Sequence, residues 1–223
     1  MEKKKQKEIT VSKIPLQETR LFYWRYPQWK KLKDKLLPEI LEHQADNPDS
    51  LPGTNDLCWR GRKEYKCQED LLEPVGMLVG CWLENYFPSK LFDVNVEYWT
   101  NINKPGSTNM IHNHVMASWG TKSYVFDCHL SGVYYVQSAN TGAIRFYTHE
   151  QLYNLIPDGM PYHGKIGHSP SDGDLLVWPS YLHHDMEVNL SSQERINVAF
   201  NVNVKEKKNV VKLKEYKDGK RKH

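Results

Sequence analysis

Three short stretches hold the side chains best suited to chemistry: IHNH at 111–114, PSYLHHD at 179–185 and RINVAFN at 195–201. In a β-strand alternate residues share a face, so His112 and His114 are expected to project together. Two imidazoles at that spacing suit a borderline metal such as iron, zinc or copper. A third ligand has to arrive from elsewhere in the chain, and the His183–His184 pair is the evident source. Taken singly, each piece has an ordinary explanation. An H-x-H on a surface strand, a polar turn after Pro179 and an arginine in a salt bridge are all common. Together, in this order and set among strand-like segments, they point to a metal centre. His129, His149, His163 and His168 read as ordinary polar residues of loops and strand edges.

The elements that must position these residues divide into two parts. The first ninety residues read as a helical and loop section. Trp29, Leu32, Leu36 and Ile40 recur at helical spacing, with Pro38 as a kink or a new turn. A turn-rich stretch at 46–56 follows. A second helix is expected from about Glu69 to Tyr86, where Leu71, Val75, Leu78, Trp82 and Tyr86 form an apolar row and Gly76 and Gly80 would allow close packing on a sheet. After residue 90 the period changes to two. LFDVNVEYWTNIN sets Phe92, Val94, Val96 and Tyr98 against Asp93, Asn95, Glu97 and Trp99. SGVYYVQ, GAIRF, DLLVWPS and RINVAFNVNV are further strands. Helices followed by many strands imply helices packed outside a β-sandwich or barrel.

At this point the sequence resembles a known family. EYWTNINKPGSTNMIHNH (97–114), LSGVYYVQ (130–137), GAIRF (142–146), GDLLVWPSYLHHDMEVN (173–189) and RINVAFN (195–201) are similar to the phage- and marine-bacterium-associated group of 2-oxoglutarate/Fe(II) oxygenases, within the prolyl-hydroxylase-like superfamily. LSGVYYV and WPSYLHH are the more specific segments, and the WR at 59–60 resembles a tryptophan element that precedes the strands in that group. The resemblance implies a mainly β, cupin-like jelly roll, or double-stranded β-helix, with N-terminal helices, and a viral origin. It implies Fe(II) held by His112, His114 and His184, with His184 rather than His183 as the distal ligand. It implies 2-oxoglutarate as co-substrate with its distal carboxylate on Arg195, since the planar guanidinium fork engages a carboxylate bidentately. O2 is then spent on hydroxylating a C–H bond. Asn197, on Arg195's face of a strand, is a helper; Asn101, Asn109 and Tyr135 are candidates for the pocket wall.

Two features depart from the superfamily pattern. His114 stands where a carboxylate is usual, so Asp127 or Asp185 is an alternative third ligand, and a three-histidine site also suits zinc. A zinc hydrolase or a cupin-like isomerase on the same scaffold is therefore the second reading. The segment at 115–130 is longer than the family pattern and reads as a lid, a recognition loop or a plain insertion; the stretch at 160–173 could cover the site mouth. A prolyl or other protein residue is the first expected substrate, a small molecule the second, and Trp99, Trp119 and Trp178 could line a peptide groove.

Composition bounds the rest. The 223 residues suffice for one domain with a hydrophobic core, expected over 14–204 with a helical section at 14–90 and a jelly roll at 91–204. The net charge of +3 is uneven: residues 1–13 carry +3, residues 205–223 carry +6, and the section between is −6. The basic arm and tail read as solvated termini, so nucleic acid is not an expected partner although the tail could touch it. No apolar run reaches the length of a membrane helix, no secretory signal is evident, and four scattered cysteines suit reduced thiols, all of which point to the cytoplasm.

Overall fold

Alternation of apolar and polar residues along two long strands organises the molecule. In the computed structural model, which describes residues 19–52, 57–115, 128–138, 140–147 and 166–207, β3 (Phe92–Asn103) and β10 (Arg195–Glu206) pair antiparallel along their whole length. Each turns one row towards the helices and one towards the interior. Ile102, Ile196, Val198, Phe200 and Val202 join the core under the helices, while Trp99, Asn101, Asn103, Arg195, Asn197 and Ala199 line a cleft on the other face. The period-two pattern thus sorts packing residues from chemical ones on the same strand.

The helices are α1 (Trp29–Asp46) and α2 (Gln68–Tyr86). The first continues through Pro38 and buries Leu32, Leu36, Ile40 and His43. Leu36 and Ile40 are fully covered, and burial of such a side chain stabilises by about 1.5–3 kcal/mol. A polar thread crosses this layer. His43 Nδ1 lies 3.3 Å from the Tyr65 hydroxyl, which lies 2.8 Å from Thr100 Oγ1 on β3. Gly76 and Gly80, expected against the sheet, instead face open space. The buried stripe of α2 is Leu71, Val75, Leu78, Val79, Trp82 and Leu83, and the glycines fall on the opposite side of the helix.

Two short strands interrupt the expected helical section, β1 (Phe22–Arg25) and β2 (Cys58–Gly61). They close the edges of a six-stranded antiparallel sheet ordered β1-β8-β5-β10-β3-β2, with β5 at Leu130–Gln137 and β8 at Asp174–Pro179. A second sheet of β4 (Asn109–His112), β6 (Ile144–Tyr147), β7 (Ile166–His168) and β9 (His183–Met186) runs in the order β4-β9-β6-β7. The chain passes repeatedly between the two sheets, which is the double-stranded β-helix. Val133, Tyr135, Ile144, Phe146, Leu176, Trp178 and Met186 fill the space between them.

Gly132 marks the tightest point in β5. A Cβ there would sit 2.2 Å from the Phe200 ring and 2.5 Å from the Leu176 carbonyl oxygen. Gly132→Ala is expected to cost about 1–3 kcal/mol by overpacking, and thermal unfolding should show a midpoint lower by several degrees. An unchanged midpoint would mean that β5 and β8 can separate freely. No helix among the described residues is long and apolar enough to cross a membrane. The basic arm, the basic tail beyond Lys207, the greater part of the 115–130 segment with Trp119 and Asp127, His149, and the 160–165 part of the proposed mouth cover with His163 lie outside the described residues, whereas the first tail residues, Lys205 and Glu206, complete β10.

Candidate metal centre

The three histidines meet at the mouth of the space between the sheets. β4 and β9 pair so that His112 lies directly across from His184. His114 comes from beyond the end of β4 and not from the same strand face; its backbone N–H donates to Ser180 O at 2.9 Å, which turns the chain inward. One ligand nitrogen from each ring lies within 4.8 Å of the others. His183 points the other way, with its Nε2 3.0 Å from Asn113 Nδ2. Asp185 is also turned away from the group. Its carboxylate takes Arg145 Nε at 2.7 Å and Nη2 at 2.6 Å, and the Tyr147 hydroxyl at 2.6 Å.

The other nitrogen of each ring is already occupied. His112 Nδ1 donates to Met110 O (2.7 Å), His184 Nδ1 to Leu182 O (3.1 Å) and His114 Nδ1 to Asn201 Oδ1 (2.7 Å). A carbonyl oxygen only accepts, so each Nδ1 carries the proton and each Nε2 keeps its lone pair for a metal. Around His184 the Trp178 ring stands edge-on at 4.9 Å, with Phe146 against Trp178 in turn, which holds the imidazole in one orientation.

Burial lowers the pKa of all three imidazoles. His114 is brought down to about 4 by desolvation first and by His112 second. His184 falls well below the usual value and His112 falls too, both mainly through desolvation. The folded state therefore favours the neutral rings. In the metal-free protein this contribution to stability is complete above the unfolded value of about 6.5 and is lost as pH falls towards the lowered values. Metal affinity should accordingly change little as pH falls from 7 through 6.5 towards the lowered values, a range over which an unshifted triad would lose up to about a thousandfold per unit. A chelator-competition titration across that range checks it, and a steep fall starting at 6.5 would contradict it.

Asn201 is a site residue that sequence reasoning missed, although it continues the Arg195–Asn197 row at period two. Besides accepting from His114, its Oδ1 accepts from Ser131 Oγ at 3.2 Å. Asn201→Leu removes the partner that fixes the His114 tautomer, and metal affinity is expected to drop about 10- to 100-fold in the same competition assay. Equal affinity in the variant would mean that the bond merely fills space.

Arg195 lies deeper in the cleft and is fully buried. Nη1 donates to Thr141 O, while Nε and Nη2 have no partner among the described residues. Burial alone lowers its pKa. A buried guanidinium with two open donors costs several kcal/mol unless an anion completes it. Asn101 Nδ2 donates to Asn197 Oδ1 at 3.0 Å, and Arg60 Nε donates to Asn101 Oδ1 at 3.2 Å. Asn109 and Tyr135 line the same cleft, and the Tyr135 hydroxyl donates to Met186 Sδ at 3.7 Å. The sequence-predicted set is thus gathered in one place, with Arg60 and Asn201 added to it. Two roomier hollows, ≈ 380 and ≈ 660 Å³, lie elsewhere. The cleft itself encloses only ≈ 50 Å³, so a bound dicarboxylate needs its wall to yield. Met186, unbranched and flexible, is the part of the lining best able to do so. Converging side chains, not volume, single out this site.

Comparison with known proteins agrees with this geometry. A family described as "Putative 2OG-Fe(II) oxygenase" matches residues 97–201. No curated protein matches the sequence. Among solved structures, the chain is similar to a prolyl-4-hydroxylase of Pseudomonas putida, with 13% identity, a TM-score of 0.57, and 82% of this chain and 91% of that one covered. It is also similar to HygX of Streptomyces hygroscopicus with nickel, 2-oxoglutarate and hygromycin B bound (12% identity, TM-score 0.52, 83% of each chain). A third is a viral collagen prolyl hydroxylase of Paramecium Bursaria Chlorella virus-1 in complex with 2OG (13% identity, TM-score 0.51, 81% of this chain and 94% of that one). At such identities the likeness is one of fold.

Proposed function

We propose, from the match of residues 97–201 to the 2OG-Fe(II) oxygenase family and the geometry of the cleft, that it holds Fe(II) on Nε2 of His112, His114 and His184, seats 2-oxoglutarate against Arg195, and uses O2 to hydroxylate a C–H bond of a second substrate. When bound, iron and co-substrate supply the oxidising power: 2-oxoglutarate loses carbon dioxide to become succinate, taking one oxygen atom while the other enters the C–H bond. The chain's own residues do the positioning. Met110 O, Leu182 O and Asn201 Oδ1 hold the three imidazoles with their lone pairs inward. Arg195 offers Nε and Nη2 to the distal carboxylate, a pairing that relieves its own unpaired charge. Asn197, Asn101, Asn109 and Tyr135 shape the wall around it. Trp178, Ile144 and Val133 keep that region apolar and short of water.

The observation that carries the reading is the pairing of two features in one cleft, the converging imidazoles and the half-satisfied Arg195. A zinc hydrolase or isomerase would use the first and has no need of the second. The relatives of this fold include hydroxylases of prolyl residues and an enzyme crystallised with hygromycin B, so peptide and small-molecule substrates are both compatible with it. All four cysteines are free thiols, which supports a reducing compartment such as the cytoplasm. The deciding experiment is anaerobic. Fe(II) and 2-oxoglutarate added to purified protein should give a weak visible charge-transfer band that needs both. No band, with zinc held tightly in its place, would hand the site to the hydrolase reading.

A further inference from the structure

The cleft contains a second guanidinium that neither metal nor co-substrate requires. Arg60 sits on β2 at the position paired with Asn101 of β3, and so faces the cleft beside the Asn101–Asn197 row. Two bonds fix its plane: Nε to Asn101 Oδ1 at 3.2 Å and Nη1 to Pro52 O at 3.1 Å. The guanidinium lies 5.6 Å from the centroid of the Trp99 ring, which is buried and also lines the cleft. Arg62, two residues on, stands over the same ring at 5.9 Å. Both arginines are thus held against one indole, and no ion pair joins a carboxylate of the described residues to Arg60.

The charge balance of the cleft sharpens the point. Among the described residues its lining has two arginines and no aspartate or glutamate. The third imidazole, His114, is neutral and replaces the carboxylate that the usual facial triad would supply. A divalent metal with Arg195 and Arg60 outweighs a dianionic co-substrate, and in a partly desolvated wall that surplus is costly until an anion joins it. The planar fork of Arg60, fixed by neutral carbonyl acceptors and backed by an aromatic face, is built to grip an oxyanion.

We propose that Arg60, with Arg62 and the Trp99 ring, forms a subsite for an oxyanion of the substrate, so that the bond hydroxylated belongs to a molecule bearing a carboxylate or a phosphate. This deepens the oxygenase reading and rests on it. It favours a free acid or a phosphate ester over an uncharged prolyl residue within a peptide. The Arg60–Asn101–Asn197 chain ties this subsite to the strand that carries Arg195, and so sets the spacing between substrate anion and co-substrate.

The test uses the full chain loaded with diamagnetic Zn(II) and saturating 2-oxoglutarate, so that Arg195 is occupied. The indole N–H resonance of Trp99, assigned through Trp99→Phe, is followed while propionate and methyl phosphate are titrated in separate arms. At least one should give a saturable shift, and the tighter arm identifies the anion as carboxylate or phosphate. Arg60→Gln should weaken that binding about tenfold or more. Arg60→Lys, which keeps charge without the fork, should fall between and serves where the glutamine variant does not fold. No saturable shift in either arm, or an equal shift in Arg60→Gln, overturns the proposal. So does a variant that needs more 2-oxoglutarate while binding the probe anion normally, since Arg60 would then serve the co-substrate. The Fe(II) charge-transfer band separates the two levels: a band without Arg60-dependent anion binding leaves the oxygenase and removes the subsite, and the reverse removes the oxygenase and leaves an anion site.

Discussion

His184→Ala is expected to hold no stoichiometric iron after dialysis and to form no succinate above background. His184 is the most enclosed of the three ligands. It faces His112 across the β4–β9 ladder, donates Nδ1–H to Leu182 O, and leans on the edge of Trp178. Its Nε2 lone pair is therefore preset, and the protein spends almost no ordering entropy on presenting it. Removal leaves two imidazoles, one of them partly exposed at the rim. Losing a hydrogen-bond partner behind a ligand already costs about 10- to 100-fold in metal affinity, so losing the ligand itself should exceed a hundredfold. The control is built into the sequence. His183→Ala removes an adjacent histidine whose ring meets Asn113 on the other side of the strand, and it should bind metal and turn over 2-oxoglutarate nearly as the parent does. Chelator competition on the two variants, with succinate formation alongside, gives the comparison. Equal damage from both would place the metal somewhere other than this triad.

That distinction between neighbours was legible before the fold, though only through the family resemblance; alternation by itself puts His183 and His184 on opposite faces without saying which is inward. Alternation did settle β3 and β10, because both are long and each has one apolar row. It placed Asn197 on Arg195's face, and the same arithmetic extended by four positions would have reached Asn201. It misdescribed His112 and His114, which were expected on one strand face. The strand ends at His112, and a bond to Ser180, distant in sequence, brings His114 inward. Pairings of that kind leave no local trace. The same holds for β1 and β2, four residues each, whose strand character comes from joining the edges of a sheet whose other strands lie far along the chain. Arg60 was passed over for this reason: the WR element stood out, but only its pairing with Asn101 reveals which way the guanidinium points. Gly76 and Gly80 show the opposite failure, in which small residues suggested a contact that the apolar stripe of α2 assigns to the other side.

Replacement of Arg195 should produce two effects of opposite sign. In the loaded enzyme, Nε and Nη2 are the donors left for a carboxylate, and charge-assisted bonds of that kind contribute about 1.5–3 kcal/mol each. Allowing for the solvent that fills the gap, Arg195→Met should raise the 2-oxoglutarate concentration needed for half-maximal turnover by between about thirtyfold and a thousandfold, or ~2–4 kcal/mol. The iron ligands stand apart from Arg195, so metal affinity should change little. In the unloaded protein the balance reverses. A fully buried guanidinium that, among the described residues, has a single bond, to Thr141 O, and two unpaired nitrogens destabilises the fold, and methionine of similar length removes that penalty. Apolar replacements of buried charges are often neutral or stabilising by 1–4 kcal/mol. The metal-loaded variant without co-substrate should therefore melt no lower than the parent. Added 2-oxoglutarate should raise the parent's melting temperature by mass action and leave the variant's nearly unmoved. Thermal scans with and without the co-substrate measure all of this on one pair of proteins. An arginine kept only for structure would give the contrary pattern, with the variant melting lower in every condition and an unaltered response to 2-oxoglutarate. On the proposed function, the carboxylate that Arg195 awaits is what turns this unfavourable setting into a favourable one.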